Sequence, residues 1–297
     1  MITKFLPVPS KLLLFGEHTV LTGSPALTVP LWKFCARLKI PGQDCTEENL
    51  ESTRLLKAFY TYLHGHKEWF DGQINLEYLK TSLKHNMFFE SQIPIGYGLG
   101  SSASVCVAIY KAFGKTDIEE TSVLKLLYSR MESFFHGKSS GMDPLTIHLN
   151  HPILADQGKI NILEQGQTLI EEGVRIYLLD SCIPRNSSSM IECFQQEMQS
   201  PEFKVEYQRA YLPILEGIKE KAINHIPVNW ELIRELSTQQ LKLFRNLIPE
   251  PVYNVWKLTS STGHICIKIL GAGGGGFFLL FSKKELKDLQ GYRLVEI

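Results

Sequence analysis

Apolar residues recur along this chain in two rhythms. Short unbroken runs, KLLLF (Lys11–Phe15), VRIYLLDS (Val174–Ser181), HICIKIL (His264–Leu270) and FFLLF (Phe277–Phe281), have the length and density of buried strands. ALTVPLWKFCARLKI (Ala26–Ile40) is rich in strand formers and predicts another. Elsewhere the spacing is helical. Leu50, Leu55, Leu56 and Phe59 predict a helix over TEENLESTRLLKAFYTYLHG, with Gly65 past its end. The stripe Leu124, Leu127, Tyr128, Met131, Phe134 and Phe135 marks the clearest helix of the chain, with Gly137 at its stop. A third helix is expected from Ser102 to Phe113, ended by Gly114, and helical patterns fill Ser188–Leu247. KSSGMDP (Lys138–Pro144) reads as a turn. LEQGQTLIEEG reads as a connector, which puts a domain boundary near residue 170 and predicts domains at 1–170 and 171–297. Strands and helices mixed in this way predict an α+β protein.

With 297 residues, 44% of them hydrophobic, the chain can bury a substantial core in one large or two smaller domains. Its 31 basic and 31 acidic side chains cancel, which argues against a broad nucleic-acid footprint while leaving room for a local anion pocket. The six cysteines form no C-x-x-C pair and sit partly in apolar runs, so they read as reduced thiols of a cytoplasmic protein rather than as a zinc site. No apolar run approaches the roughly 18 residues of a membrane span, and LLLF is too short for a signal peptide. No membrane partner is expected.

Two glycine-rich stretches then demand an explanation. In IPIGYGLGSSASVCVAIYKAF (Ile93–Phe113), three glycines and two serines run into small and apolar residues. Glycines admit a ligand close to the backbone, and a helix start offers N–H groups and partial positive charge, so one reading is a phosphate cradle. The other is a glycine turn closed by a serine cap. The stretch is neither a Walker loop nor a dinucleotide fingerprint. The second stretch, GAGGGG (Gly271–Gly276), sits between two strands and has far more glycine than a hairpin needs, which points to a ligand-facing loop. Three carboxylates, a lysine and a histidine complete the candidates. Glu132 borders the apolar helix stripe, where it is either partly desolvated and in need of a cation or a surface residue. Asp143 follows Ser139-Ser140-Gly141-Met142 and by itself suits a turn. Lys11 and the pair Glu17-His18 frame the first strand-to-loop transition.

KLLLFGEHTVLTGSPAL, PIGYGLGSSASVCVA and KILGAGGGGFFLL, in this order, resemble the three signature motifs of the GHMP kinases. HGKSSGMDP resembles the HGxPSGxD of the mevalonate kinase branch, and IPRNSS its VPRNT, so within the family the chain is most similar to that branch. Three places depart from the pattern: VPSK stands for APGK, GGGGFF for GGGGC, and Ser139 for the proline of HGxPSGxD.

The resemblance implies a two-domain GHMP kinase fold, an N-terminal α/β domain with a glycine-rich phosphate loop and a C-terminal ferredoxin-like α+β domain. It implies ATP and Mg2+ as cofactors, a small-molecule acceptor, with mevalonate and isoprenoid precursor synthesis first, and a possible homodimer. Gly96, Gly98, Leu99, Gly100, Ser101, Ser102 and Ala103 would wrap the triphosphate. Ser102 and Glu132 would hold magnesium. Asp143 would be the catalytic carboxylate, with Lys11 beside it. Glu17, His18 and Ser187 would lie around the acceptor, and the glycine loop, with Gly273 and Gly274, would support that region. The spacing of eleven residues from Glu132 to Asp143 matches the family pattern. A kinase for another acceptor, a sugar or phosphomevalonate, and a catalytically silent ligand sensor stand as alternatives; intact Lys11, Ser102, Glu132 and Asp143 argue against the sensor.

Overall fold

A computed structural model describes residues 5–42, 46–184 and 187–297, the side chains of Leu21, Ser187 and Ser188 excepted. The chain divides into two compact units. The first is built from Met1–Lys11, Pro30–Pro94 and Leu99–Asn150, the second from Leu12–Val29, Ile95–Gly98 and His151–Ile297. Strands β1 (Val8–Phe15) and β2 (Ala26–Lys39) run through both. Strand β2 changes partner along its length: Ala36–Lys39 pair with β3 (Phe88–Ser91), and Ala26–Thr28 pair with β4 (Ile153–Asp156). Pro30, which has no N–H to donate, falls in the interval between those two pairings.

The helices of the first unit are α1 (Glu47–Gly65), α2 (Lys67–Phe70), α3 (Leu76–Lys84), α4 (Ser101–Phe113), α5 (Thr121–His136) and α6 (Met142–Leu149). The Thr46 side chain accepts from Asn49 N–H and caps α1, which begins one residue after the expected TEENL start. Helix α4 is buried from Ala103 through Tyr110, as expected of a helix apolar on all sides. It packs against α5 and α6. One expectation changes here. KSSGMDP is a turn only as far as Gly141, because Met142 already opens α6 and Pro144 lies in its first turn, where a missing N–H costs nothing.

The second unit holds the hairpin β4–β5 (Lys159–Ile162) and an antiparallel sheet in the order β7-β8-β6-β10-β9. These strands are β6 (Arg175–Asp180), β7 (Ile265–Ile269), β8 (Phe277–Ser282), β9 (Asp288–Leu289) and β10 (Tyr292–Glu296). Strands β7 and β8 are buried at every position, which explains their unbroken apolar runs. Helices α7 (Ser187–Glu197), α8 (Pro201–Glu206), α9 (Leu212–Ile223), α10 (Trp230–Leu243) and α11 (Glu250–Ser260) complete the unit, with α10 and α11 against β7. Between α8 and α9 the chain makes a π turn, Tyr207–Tyr211. Among the described residues no helix is long and apolar enough to cross a membrane.

Candidate active site

The first unit gathers four of the expected side chains. Lys11 lies on β1, with its backbone N–H donating to the Leu99 carbonyl at 3.0 Å. Its stem passes Gly100, where an added Cβ would stand 2.8 Å from Lys11 Cγ. Gly100 also caps α4 in the left-handed region at φ 76°, so its glycine has two reasons. Lys11 Nζ ends 2.7 Å from Asp143 Oδ2.

Asp143 is aimed from the first turn of α6, and Gly141 sets that turn. At φ 73°, a Cβ on Gly141 would meet the Lys125 carbonyl oxygen at 2.3 Å and the Ser129 nitrogen at 2.8 Å. Only a residue without a side chain lets the turn lie this close to the backbone of α5. Ser129 Oγ donates to the Ser139 carbonyl at 2.6 Å and ties the turn down.

Glu132 is 5% exposed and is not the surface residue that its position on the stripe also allowed. Ser102 Oγ donates to its Oε1 at 3.0 Å, and Ser139 Oγ to its Oε2 at 2.5 Å. His136 Nε2 lies 3.0 Å from Ser102 Oγ. Burial pushes the Glu132 carboxyl up to about 7, helped by the charge of Asp143; the bonds from Ser139 and Ser102 and the charge of Lys11 work in the opposite direction. Two carboxylates therefore share one neighbourhood with a single lysine. A hard cation suits such a set of oxygens. Magnesium keeps waters and takes phosphate oxygens, so it needs few protein ligands. Ser102 Oγ and Glu132 Oε1 are the oxygens that would hold it.

Ser139 and His136 were not singled out as partners of Glu132 and Ser102, although both lie in the quoted HGKSSGMDP. Ser139 takes over where the pattern has proline, and its hydroxyl also accepts from the Gly141 N–H at 3.0 Å. Elsewhere in the unit, Pro7, Cys35, Ala36, Arg37, Glu90 and Gln92 line a groove of about 570 Å³ that shares no residue with this cluster.

The other expected residues fall in both units: Leu99, Gly100, Ser101 and Ala103 in the first, and Gly96, Gly98, Glu17, His18, Ser187, Gly273 and Gly274 in the second. Gly96 and Gly98 are left-handed at φ 80° and 86° and lead to Leu99, Ser101, Ser102 and Ala103 at the start of α4. His18 is left-handed at φ 58°; its Nε2 lies 2.8 Å from the Ala272 carbonyl oxygen and therefore donates to it. Its ring lies 5.0 Å from that of Phe194. Glu17 is fully buried and pairs with Lys268 of β7, the first residue of KILGAGGGGFFLL, to which the motif reading gave no role. A lone lysine inside ICIKIL was the available signal, since a charge in a buried strand needs a partner. The glycine loop is packed on its own unit: Gly274 N–H donates to Leu247 O at 2.8 Å and Gly276 N–H to Ile183 O at 2.9 Å. A Cβ on Gly273 would meet Leu247 O at 2.7 Å and one on Gly274 the Met190 sulfur at 2.6 Å, so close packing already calls for glycine there. Ser187 opens α7, and its side chain lies outside the described residues, as do Arg185 and Asn186 of IPRNSS.

Known proteins resemble this chain. The family described as GHMP kinases N terminal domain matches residues 62–149, which span the glycine–serine loop, Glu132 and Asp143. A mevalonate kinase of Pyrococcus furiosus is 27% identical, over 95% of this chain and 90% of its own length. Among solved structures, L. major mevalonate kinase in complex with R-mevalonate superposes with a TM-score of 0.62 at 17% identity, covering 94% of this chain and 87% of the other. Streptococcus pneumoniae phosphomevalonate kinase gives 0.59 at 16% identity, over 98% of each chain. The backbone is thus common to kinases of different acceptors.

Proposed function

Because the chain belongs to the GHMP kinase family and acts as an ATP-dependent small-molecule kinase, we propose that it transfers the γ-phosphoryl group of ATP, with magnesium, to the 5-hydroxyl of mevalonate. The observation that carries the reaction is the Lys11–Asp143 ion pair in the same unit as the Ser102–Glu132 pair. Phosphoryl transfer asks the protein for alignment and charge stabilisation rather than covalent chemistry. The choice of mevalonate rests on the relatives that span 95% of the chain and on HGKSSGMDP.

In this reading Asp143 accepts a hydrogen bond from the acceptor hydroxyl and takes its proton as the O–P bond forms. Lys11 holds Asp143 in place through their ion pair and stabilises the charge that develops on the transferring group. The backbone N–H groups at the start of α4 cradle the phosphates. Ser102 and Glu132 hold magnesium, which when bound would neutralise phosphate charge. Ser139 and Ser102 orient the Glu132 carboxylate with one hydrogen bond on each oxygen. His18 and Ser187 are the candidates for the acceptor's carboxylate.

Coupled ADP release over a panel of acceptors tests this. Mevalonate is expected to exceed galactose, homoserine and phosphomevalonate at least tenfold in kcat/KM, which asks for about 1.4 kcal/mol of differential transition-state binding. Preference for another of the four would overturn the acceptor and leave the kinase; no ADP release with any would overturn the acceptor assignment altogether.

A further inference from the structure

Strand β7 carries a lysine in the middle of a fully buried apolar run. Lys268 is 1% exposed and its partner Glu17 is 0% exposed. Lys268 Nζ donates to Glu17 Oε1, and also to the Ile269 carbonyl oxygen at 2.7 Å. The proposed chemistry uses neither charge directly. A buried ion pair is also a poor source of stability, since apolar residues of similar volume often serve as well, and its better attested use is to select one arrangement among several.

The arrangement selected here is specific. Glu17 and His18 are consecutive, and each grips the same distant segment. Glu17 holds Lys268, and four residues further along His18 Nε2 donates to Ala272 O. The turn that carries them is constrained from the other side as well, because Gly16 at φ 100° leaves no room for a Cβ against Pro25 O and Ala26. Gln240 Oε1 accepts from Ile269 N–H at 2.8 Å and fixes the end of β7 between the two grips. Beyond Ala272 come four consecutive glycines, whose backbone has more conformers to lose than any other sequence. Something must choose one of them.

We propose that Lys268 is a positioning residue of the acceptor site: through Glu17 it locks the Gly16–His18 turn onto the Lys268–Ala272 segment and so sets both His18 and the glycine loop. This rests on the reading above, in which His18 and the loop border the acceptor. Glu17 then acts through Lys268 rather than by touching the acceptor.

Two variants and two readouts separate the possibilities. Lys268→Met alone leaves a buried carboxylate without its cation and is expected to lower the thermal midpoint by about 10 °C. Glu17→Leu with Lys268→Met removes both charges and is expected to restore the midpoint to within about 4 °C of wild type. On this stable double variant, amide exchange of residues 271–276 in the absence of acceptor should be about tenfold faster than in wild type. Its acceptor KM should rise about tenfold, and its ATP KM should stay within about twofold. Wild-type exchange and wild-type acceptor KM in the double variant would make the pair purely structural and overturn the proposal. Wild-type exchange with a raised acceptor KM would also overturn it, because Glu17 would then touch the acceptor itself. If wild type prefers another acceptor, the KM readout moves to that acceptor, and the exchange readout, which uses none, still decides the role of Lys268.

Discussion

Replacing Asp143 by Asn keeps the shape of the side chain and removes both its charge and its ability to take a proton. Lys11 Nζ, 2.7 Å away on a side chain 7% exposed, then loses its counter-charge, while Asp143 itself is 34% exposed. The pair is therefore neither a solvated surface pair, worth about 0–1 kcal/mol, nor a fully buried one, whose breaking costs about 3–5 kcal/mol. A stability loss of about 1–2 kcal/mol is expected between those limits, or about 2–8 °C in thermal midpoint. The loss in rate should be larger. General-base catalysis contributes about 10²–10⁴-fold, equal to about 3–5 kcal/mol of barrier, so turnover should fall by that factor in a protein that is still folded. ATP affinity should change little, because Ser102 and the start of α4 are untouched. Lys11→Met should slow the reaction as well, and the double variant should lose less than the product of the two single losses, since the groups act as a unit. The assays are coupled ADP release for turnover and titration calorimetry for nucleotide affinity, on both single variants and the double. Turnover of Asp143→Asn within about threefold of wild type would leave the mechanism without its base.

Glu132→Gln should fold and bind ATP but require a higher magnesium concentration for half-maximal rate; an unchanged magnesium dependence would remove it from the metal site. Gly141→Ala should cost about 2–4 kcal/mol from positive φ and the collision with the α5 backbone, read as the shift in urea midpoint, and a loss below about 0.5 kcal/mol would mean that the turn is free to move. His148 hydrogen-bonds with Tyr128 at 2.7 Å, and burial first, then the charge of Lys111, pushes its imidazole from an ordinary 6.5 down to about 4, with Asp117 opposing. Its folded value lies below its unfolded one, so its contribution is complete above about pH 6.5 and is lost as the pH falls toward 4, up to roughly 3 kcal/mol in all. His148→Gln should reduce the drop in stability between pH 7 and pH 5, measured by urea unfolding at both; an equal drop in the two proteins would refute the buried neutral imidazole.

Local pattern carried much of this molecule. The apolar runs of β7 and β8 and the stripe of α5 each act within a few residues, so reading them in order recovers the elements. The glycine–serine loop, Glu132 and Asp143 were candidates from local sequence, and the roles expected of them came from the resemblance to the GHMP kinases. The hairpin β4–β5 and the short strands β9 and β10 were not visible in the sequence, since runs of two to five residues, most of them exposed or half-buried, are too short to show a period. Nor was the turn before Asp143 resolved into a turn and a helix start, which depends on how closely Gly141 can approach α5. What tertiary structure alone decided is who meets whom. Ser139 meets Glu132 only because that turn folds back along α5, and Glu17 meets Lys268 across 251 residues of sequence. A sequence states that a buried charge must find a partner, since an unpaired one costs several kcal/mol. Which partner it finds is settled by the sheet that forms around it.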